Sequence, residues 1–301
     1  MIEARAFAKV TLSLRVSPRD ASGLHPIAGR FQSVDWYDAM ALVTAEADSV
    51  STSAGRDVVD GEDNLAWRAV AAVRDIAVTR PPLSLTLDKD IPIAAGVGGG
   101  SADAAGALGM AASLLGVDRA ELHDLAIDLG SDVPFCLVGG SAHVSGVGER
   151  VDPVPFFGGF ALGLVVPPVE VMTSTVYRRW DEMGGPSGPP MAVTEVPPAL
   201  RDEALVNDLY PAAVAVAGEI DEWRTELEHR WRRPVTMAGS GPTLYAFFLD
   251  RDEAVGAATD VPVGSRAATV AVPIDHGWVI RPSGGRKITD SKGRVLTDES
   301  W

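Results

Sequence analysis

Between residues 92 and 103 the chain reads Pro92-Ile93-Ala94-Ala95-Gly96-Val97-Gly98-Gly99-Gly100-Ser101-Ala102-Asp103, its densest run of glycine. Ahead of it, Leu83, Leu85 and Leu87 alternate with Ser84, Thr86 and Asp88, which is a strand pattern. Behind it the small-residue segment 101–115 reads as a helix that stops at Gly116. A loop of this kind exposes successive backbone N–H groups and aims a helix N-terminus at whatever fills its concavity. That favours an anion, most often phosphate. Glycines keep side chains out of the ligand's way and supply positive φ where the loop needs it. The candidate contacts are Pro92, Ala94, Ala95, Gly96, Val97, Gly98, Gly99, Gly100, Ser101 and Ala102, with the Ser101 hydroxyl a candidate ligand for phosphate or metal. Two other phosphate loops are excluded, because neither G-x-x-x-x-G-K-[ST] nor G-x-G-x-x-G fits the spacing. No lysine follows the loop, so a bound phosphate needs metal ions and a cation from elsewhere in the chain.

The remaining pattern alternates irregularly between strands and helices. Residues 5–16 alternate with period two and predict a half-buried strand that carries Lys9 and Thr11 side by side on its polar face. The stretch 17–30 reads as a loop, 39–45 as a strand, and 51–63 as a polar stretch of turn formers. Helices are expected at 65–77, capped by Asp63, and at 119–129, capped by Asp118. Short strands follow up to Glu149. Beyond the Pro- and Gly-rich stretch 151–159 come a strand at 160–166, a helix near 173–183 and a loop at 184–190. Helical patterns at 199–217 and 219–231, a strand at 243–249, a helix at 252–259 and a strand at 267–272 complete the reading. This order implies an α+β protein of two domains, 1–155 and 156–281, with a polar tail, 282–301, that adds little to the core.

Charge narrows the partners. With 26 Lys+Arg against 41 Asp+Glu the net charge is −15, which argues against general nucleic-acid or anionic-membrane binding. The single cysteine, Cys136, excludes an internal disulfide and a multi-thiolate zinc site. Without a secretory pattern at the N-terminus or an apolar run of about 18–20 residues, a cytoplasmic protein is expected.

Three segments together resemble the GHMP family of small-molecule kinases: Ala8-Lys9-Val10, the glycine loop with its Ser101-Ala102-Asp103, and Ala238-Gly239-Ser240-Gly241-Pro242-Thr243. Gly61-Glu62-Asp63-Asn64-Leu65, Leu129-Gly130-Ser131-Asp132-Val133-Pro134-Phe135 and Gly146-Val147-Gly148-Glu149 extend the likeness over most of residues 4–281. The resemblance implies a ribosomal protein S5 domain 2-like N-terminal domain packed on a ferredoxin-like C-terminal domain. It implies ATP and Mg²⁺, and transfer of the γ-phosphoryl group to the 2-hydroxyl of a cytidine-diphosphate-linked methylerythritol in non-mevalonate isoprenoid precursor synthesis. Lys9 and Asp132 match the catalytic pair, and Asn64 joins the loop as a nucleotide contact. Thr11, Leu24, His25, Thr173, Tyr177, Gly239 and Ser240 fall on acceptor-binding positions. A monomer or homodimer is expected.

The acceptor segment departs from the family. Thr11 stands where the family usually has Asn, and Ser22-Gly23-Leu24-His25 where it has Asp-Gly-Tyr-His. That tyrosine stacks on cytosine in the family, so Leu24 forfeits an aromatic face worth about 1–3 kcal/mol, and Tyr177 is left to stack alone. Two alternatives therefore stand beside the first: a GHMP-type kinase for another polyol or sugar alcohol, and an inactive nucleotide-binding paralogue. His123, His143, His229 and His276 have no ligand spacing and read as structural or surface residues. Cys136, in an apolar setting, reads as core.

Overall fold

The computed structural model describes residues 1–53, 61–156, 158–192, 196–202, 204–282 and 287–296. Part of the polar stretch 51–63 and part of the tail 282–301 thus lie outside the described residues. The first half contains β1 (Ile2–Val16), β2 (Ile27–Thr44), β3 (Ser49–Thr52), α1 (Leu65–Ile76), β4 (Leu83–Asp88), α2 (Gly99–Leu115), α3 (Leu122–Leu129), α4 (Val133–Val138), β5 (Ser141–Gly146) and β6 (Arg150–Pro153). The second half contains β7 (Ala161–Val166), α5 (Thr173–Glu182), α6 (Tyr210–Val216), α7 (Glu219–Trp231), β8 (Thr236–Met237), β9 (Leu244–Phe248), α8 (Arg251–Ala258), β10 (Ala267–Ala271), β11 (Trp278–Pro282), β12 (Ile288–Asp290) and β13 (Val295–Leu296).

Two sheets result. The larger runs β13-β12-β11-β1-β2-β4-β3, with β5 on β2 and β6 on β5; the smaller runs β10-β7-β9-β8. Apart from Asp103, helix α2 buries small and apolar residues on every side, and Ala102 through Ala112 are all buried, as expected of a helix enclosed by α1, α3, α4 and the larger sheet.

Strand β1 is the hinge of the architecture. Its pairing with β2 shifts register between Phe7 and Lys9 and again between Thr11 and Ser13. The pairing slips by two residues at the first irregularity and by one at the second, and bulges of this kind bend the strand and re-aim its side chains. Ala4, Ala6 and Leu14 accordingly pack in the cluster that contains α2, whereas Ala8, Val10 and Leu12 pack with Leu162, Leu164, Tyr245 and Phe247 of the smaller sheet. The expectation of a half-buried strand with Lys9 and Thr11 on its polar face is therefore corrected in its burial. The smaller sheet covers the second face, and Lys9 and Thr11 are buried. The Tyr245 hydroxyl donates to the Thr11 and Leu12 carbonyls at the second irregularity, at 3.4 and 3.3 Å.

Other expectations are also revised. The stretch 17–30 is a loop only up to residue 26, because β2 begins at Ile27 and pairs with Val16. Asn64, not Asp63, caps α1: its side chain accepts from Ala66 N and Trp67 N. The helical pattern at 199–217 yields α6 only from Tyr210, since main-chain hydrogen bonds to Leu14 hold 206–208 extended alongside β1. Strand β11 returns to pair with β1, so residues 278–281, expected in the second domain, lie in the larger sheet. The tail contributes β12 and β13, with Ile288 and Asp290 buried, because Asp290 ties down the turn at Lys292–Arg294.

Candidate active site

The two irregularities of β1 aim Lys9 and Thr11 into a cavity of about 790 Å³. Lys9 is 4% exposed, and a buried ammonium is tolerable only with partners. Its Nζ lies 3.2 Å from Asp132 Oδ2, donates to Thr11 Oγ1 at 3.1 Å and to the Gly96 carbonyl at 3.5 Å, and sits 5.0 Å above the Phe31 ring. Asp132 stands at the N-cap of α4 yet makes no side-chain capping bond. Its carboxylate faces the cavity and Lys9 instead, with its side chain 37% exposed.

The glycine loop is built against this pair. Gly98, at φ +73°, caps α2, and a Cβ there would stand 2.9 Å from Lys9 Cγ. Gly96, at φ +81°, lies against Gly241, whose carbonyl oxygen a Cβ would strike. Thr243 locks the same junction by donating to the Ala95 carbonyl at 2.6 Å. Pro92, Ala94, Ala95, Gly96, Gly98, Gly99, Gly100 and Ser101 line the cavity, as does Asn64. Val97 and Ala102 turn their side chains into the core, and the Val97 carbonyl already accepts from Lys9 N.

Sequence reasoning missed a cation here. Lys89, at the end of β4, lines the cavity with its ammonium between Asp38 and Asp103, 2.5 Å from Asp103 Oδ2. Its Nζ would lie 3.6 Å from a Cβ on Gly99, so it sits against the first turn of α2. The only hint in the sequence is a lysine between two aspartates, a pattern ordinarily read as a solvated turn. Burial would lower the Lys89 pKa, but Asp103 and Asp38 outweigh it and raise the value. Burial pushes Asp103 up to about 7 against the pull of Lys89, and the Asp38 charge adds to the rise.

A carboxyl raised from 3.8 to about 7 favours the folded chain when protonated, so its contribution is complete below about pH 4 and is lost as pH rises towards 7. Asp103→Asn should flatten that slope. Melting temperatures at about pH 5 and about pH 8 should differ less in the variant than in the wild type.

The same cavity holds the remaining candidates, since Thr11, Leu24, His25, Thr173, Tyr177, Gly239 and Ser240 all line it. His25 Nδ1 donates to the Ser17 carbonyl at 2.9 Å, leaving Nε2 3.3 Å from Asp181 Oδ2. Its ring lies 5.1 Å from that of Tyr177 and 5.5 Å from that of Trp180. Burial and the nearby Asp132 charge raise the Tyr177 phenol. Leu24 is 53% exposed at the mouth. Arg19, also lining the cavity, donates to Asp181 and to the Gly23 carbonyl. Thr173 Oγ1 and Ser240 Oγ are 2.9 Å apart, joining α5 to the Gly239–Ser240 turn.

A glycine loop at a helix N-terminus, a buried lysine paired with a carboxylate, and an apolar-aromatic recess thus share one cavity. Residues 64–140 match the family model for the GHMP kinases N terminal domain. A 4-diphosphocytidyl-2-C-methyl-D-erythritol kinase from Cutibacterium acnes is 38% identical over 271 residues, covering 84% of this chain and 87% of the relative. The chain belongs to the 4-diphosphocytidyl-2-C-methyl-D-erythritol kinase family. A crystal structure of 4-(cytidine 5'-diphospho)-2C-methyl-D-erythritol kinase superposes with a TM-score of 0.76 at 30% identity, covering 90% of this chain and 98% of that one. The homoserine kinase of Cytophaga hutchinsonii shares the fold, with a TM-score of 0.68 at 16% identity and coverage of 93% and 97%. The chain therefore has the α+β GHMP kinase fold, and its family's reaction is ATP-dependent phosphotransfer to an alcohol. No helix among the described residues is long and apolar enough to cross a membrane.

Proposed function

We propose that this protein transfers the γ-phosphoryl group of ATP to the 2-hydroxyl of 4-diphosphocytidyl-2-C-methyl-D-erythritol, working in the cytoplasm. The observation that carries the reading is the Lys9–Asp132 pair, 3.2 Å apart, set between the glycine loop and the His25–Tyr177 recess of one cavity. Asp132 takes the proton of the acceptor hydroxyl as its oxygen bonds to the γ-phosphorus, and the bond from that phosphorus to the β-bridging oxygen breaks to release ADP. Lys9 orients the Asp132 carboxylate and offsets negative charge on the transferring group. Thr11, hydrogen-bonded to Lys9, lies beside the acceptor hydroxyl. The amides at the start of α2 hold phosphate oxygens, whereas the Lys89 ammonium behind Gly99 is already matched by Asp38 and Asp103.

The donor set fits a magnesium ion carried mainly by phosphates and water, which needs few protein ligands. Ser101 would hold it, whereas Asp103 has one oxygen committed to Lys89. Bound there, the ion neutralises phosphate charge.

Acceptor recognition falls to Tyr177, His25 and Leu24. With Nδ1 held by the Ser17 carbonyl and Nε2 making no hydrogen bond within the protein, His25 contributes to the recess by its ring against Tyr177 and by its Nε2. The exposed Leu24 favours weaker base stacking than a tyrosine gives. Leu24→Tyr should lower KM for the cytidylylated acceptor by about fivefold, the equivalent of about 1 kcal/mol of stacking, with KM for ATP unchanged. The reading as a whole is tested by coupled ADP release over a panel of alcohols. Stimulation by the cytidylylated methylerythritol alone supports it; equal stimulation by a neutral polyol points to the second reading, a kinase for another alcohol.

A further inference from the structure

We infer that Asn207 is a positioning residue for phosphoryl transfer, holding the Gly239–Ser240 turn against Lys9 and Thr11; this rests on the kinase reading above. Asn207 does not line the cavity, and its side chain is buried. Its Nδ2 donates to the Met237 carbonyl at 2.8 Å and to the Gly239 carbonyl at 2.7 Å, while Oδ1 accepts from Leu209 N at 3.0 Å. Two carbonyls accept and cannot donate, so the orientation of the amide is settled by its partners.

The main chain around Asn207 is fastened to the strand that carries the catalytic pair's lysine. Leu14 N donates to the Val206 carbonyl at 2.6 Å, and Asp208 N donates to the Leu14 carbonyl at 2.9 Å. One residue therefore bridges β1 and the turn. The turn in turn reaches the reacting centre: a Cβ on Gly239 would stand 3.4 Å from Thr11 Oγ1 and 3.7 Å from Lys9 Nζ. Ser240 meets Thr173 across the cavity, and Gly241 meets Gly96 of the glycine loop. Asn207 thus sets the spacing between Lys9, the acceptor wall and the nucleotide loop without touching a ligand. Aspartate has the same size and keeps the acceptor for Leu209 N, but it loses both donors and faces two carbonyl oxygens with negative charge.

The test compares Asn207→Ser, Asn207→Ala and Asn207→Asp in the full chain. The readouts are kcat, KM, affinity for a non-hydrolysable ATP analogue, and melting temperature. Whichever alcohol stimulates ADP release serves as the acceptor, so an error in the acceptor assignment shows separately and leaves this readout intact. Serine keeps one donor. The expected order of kcat is Asn, Ser, Ala, Asp, falling about tenfold for Ser and about 100-fold for Asp, because small misplacements of reacting groups are costly. Analogue affinity should stay within about threefold, separating kcat from nucleotide binding. If the aspartate variant does not fold, the serine and alanine variants decide the same question. Turnover per folded molecule within about twofold of wild type for these two, with only a lower melting temperature, overturns the inference. So does a loss that tracks nucleotide affinity alone.

Discussion

Asp132→Asn should cut kcat by about 10³-fold or more while the affinity for nucleotide changes little, since removal of a positioned general base typically costs about 10²–10⁴-fold. Asparagine fills the same volume beside Lys9 but cannot take up the hydroxyl proton. The fold should tolerate the change. Asp132 caps nothing, and its half-exposed carboxylate contributes only a screened ion pair to stability. Lys9, although it loses one partner, keeps Thr11 Oγ1 and the Gly96 carbonyl. Coupled ADP release together with thermal melting checks both halves of the statement. Turnover within about tenfold of wild type would remove Asp132 from the role of base.

Gly96→Ala should be the most disruptive single methyl group in the cavity wall. The residue has φ +81°, and its Cβ would be driven into the Gly241 carbonyl oxygen, a backbone atom that cannot swing aside. Backbone strain and overpacking together should lower stability by about 3 kcal/mol, and the displaced junction should depress kcat as well. Gly100→Ala is the matched control. Nothing lies within 4 Å of a Cβ there, and the residue is in the helical first turn of α2. Its melting temperature should stay near that of the wild type, with only nucleotide affinity altered. Chemical denaturation of the two variants side by side measures the contrast. Equal stability would mean that the Gly96–Gly241 contact does not constrain the loop.

These two residues also show what the sequence made legible. The glycine loop announced itself because its chemistry is local: a strand, a run of glycines and a helix start, which return here as β4, the loop and α2. Lys9 and Thr11 were legible as neighbours on a strand, but not as buried groups. Their burial depends on two register shifts and on a second sheet more than 150 residues away in the chain, neither of which leaves a periodic trace. Lys89 was hidden for a related reason. Its partners Asp38 and Asp103 come from β2 and α2, and only the tertiary fold makes a solvated-looking Asp-Lys-Asp run into a buried triad. Asn207 fell within an apparent helix, because local propensity there yields to hydrogen bonding with β1. The tail was underestimated on composition: Ile288 and Asp290 are few residues, yet they anchor β12 between β11 and the edge strand β13.

The central claim is that one alcohol oxygen of a cytidylylated methylerythritol receives the γ-phosphoryl group of ATP in the cavity shared by Lys9, Asp132 and the glycine loop. Phosphorus-31 and carbon-13 nuclear magnetic resonance of the product, recorded after incubation with ATP and magnesium, tests it most directly. The expected result is one new phosphomonoester coupled to the tertiary carbon that bears the 2-hydroxyl, with one ADP formed per product and none without acceptor. A phosphoryl group on any other oxygen, or ADP formed at the same rate without the acceptor, would contradict it.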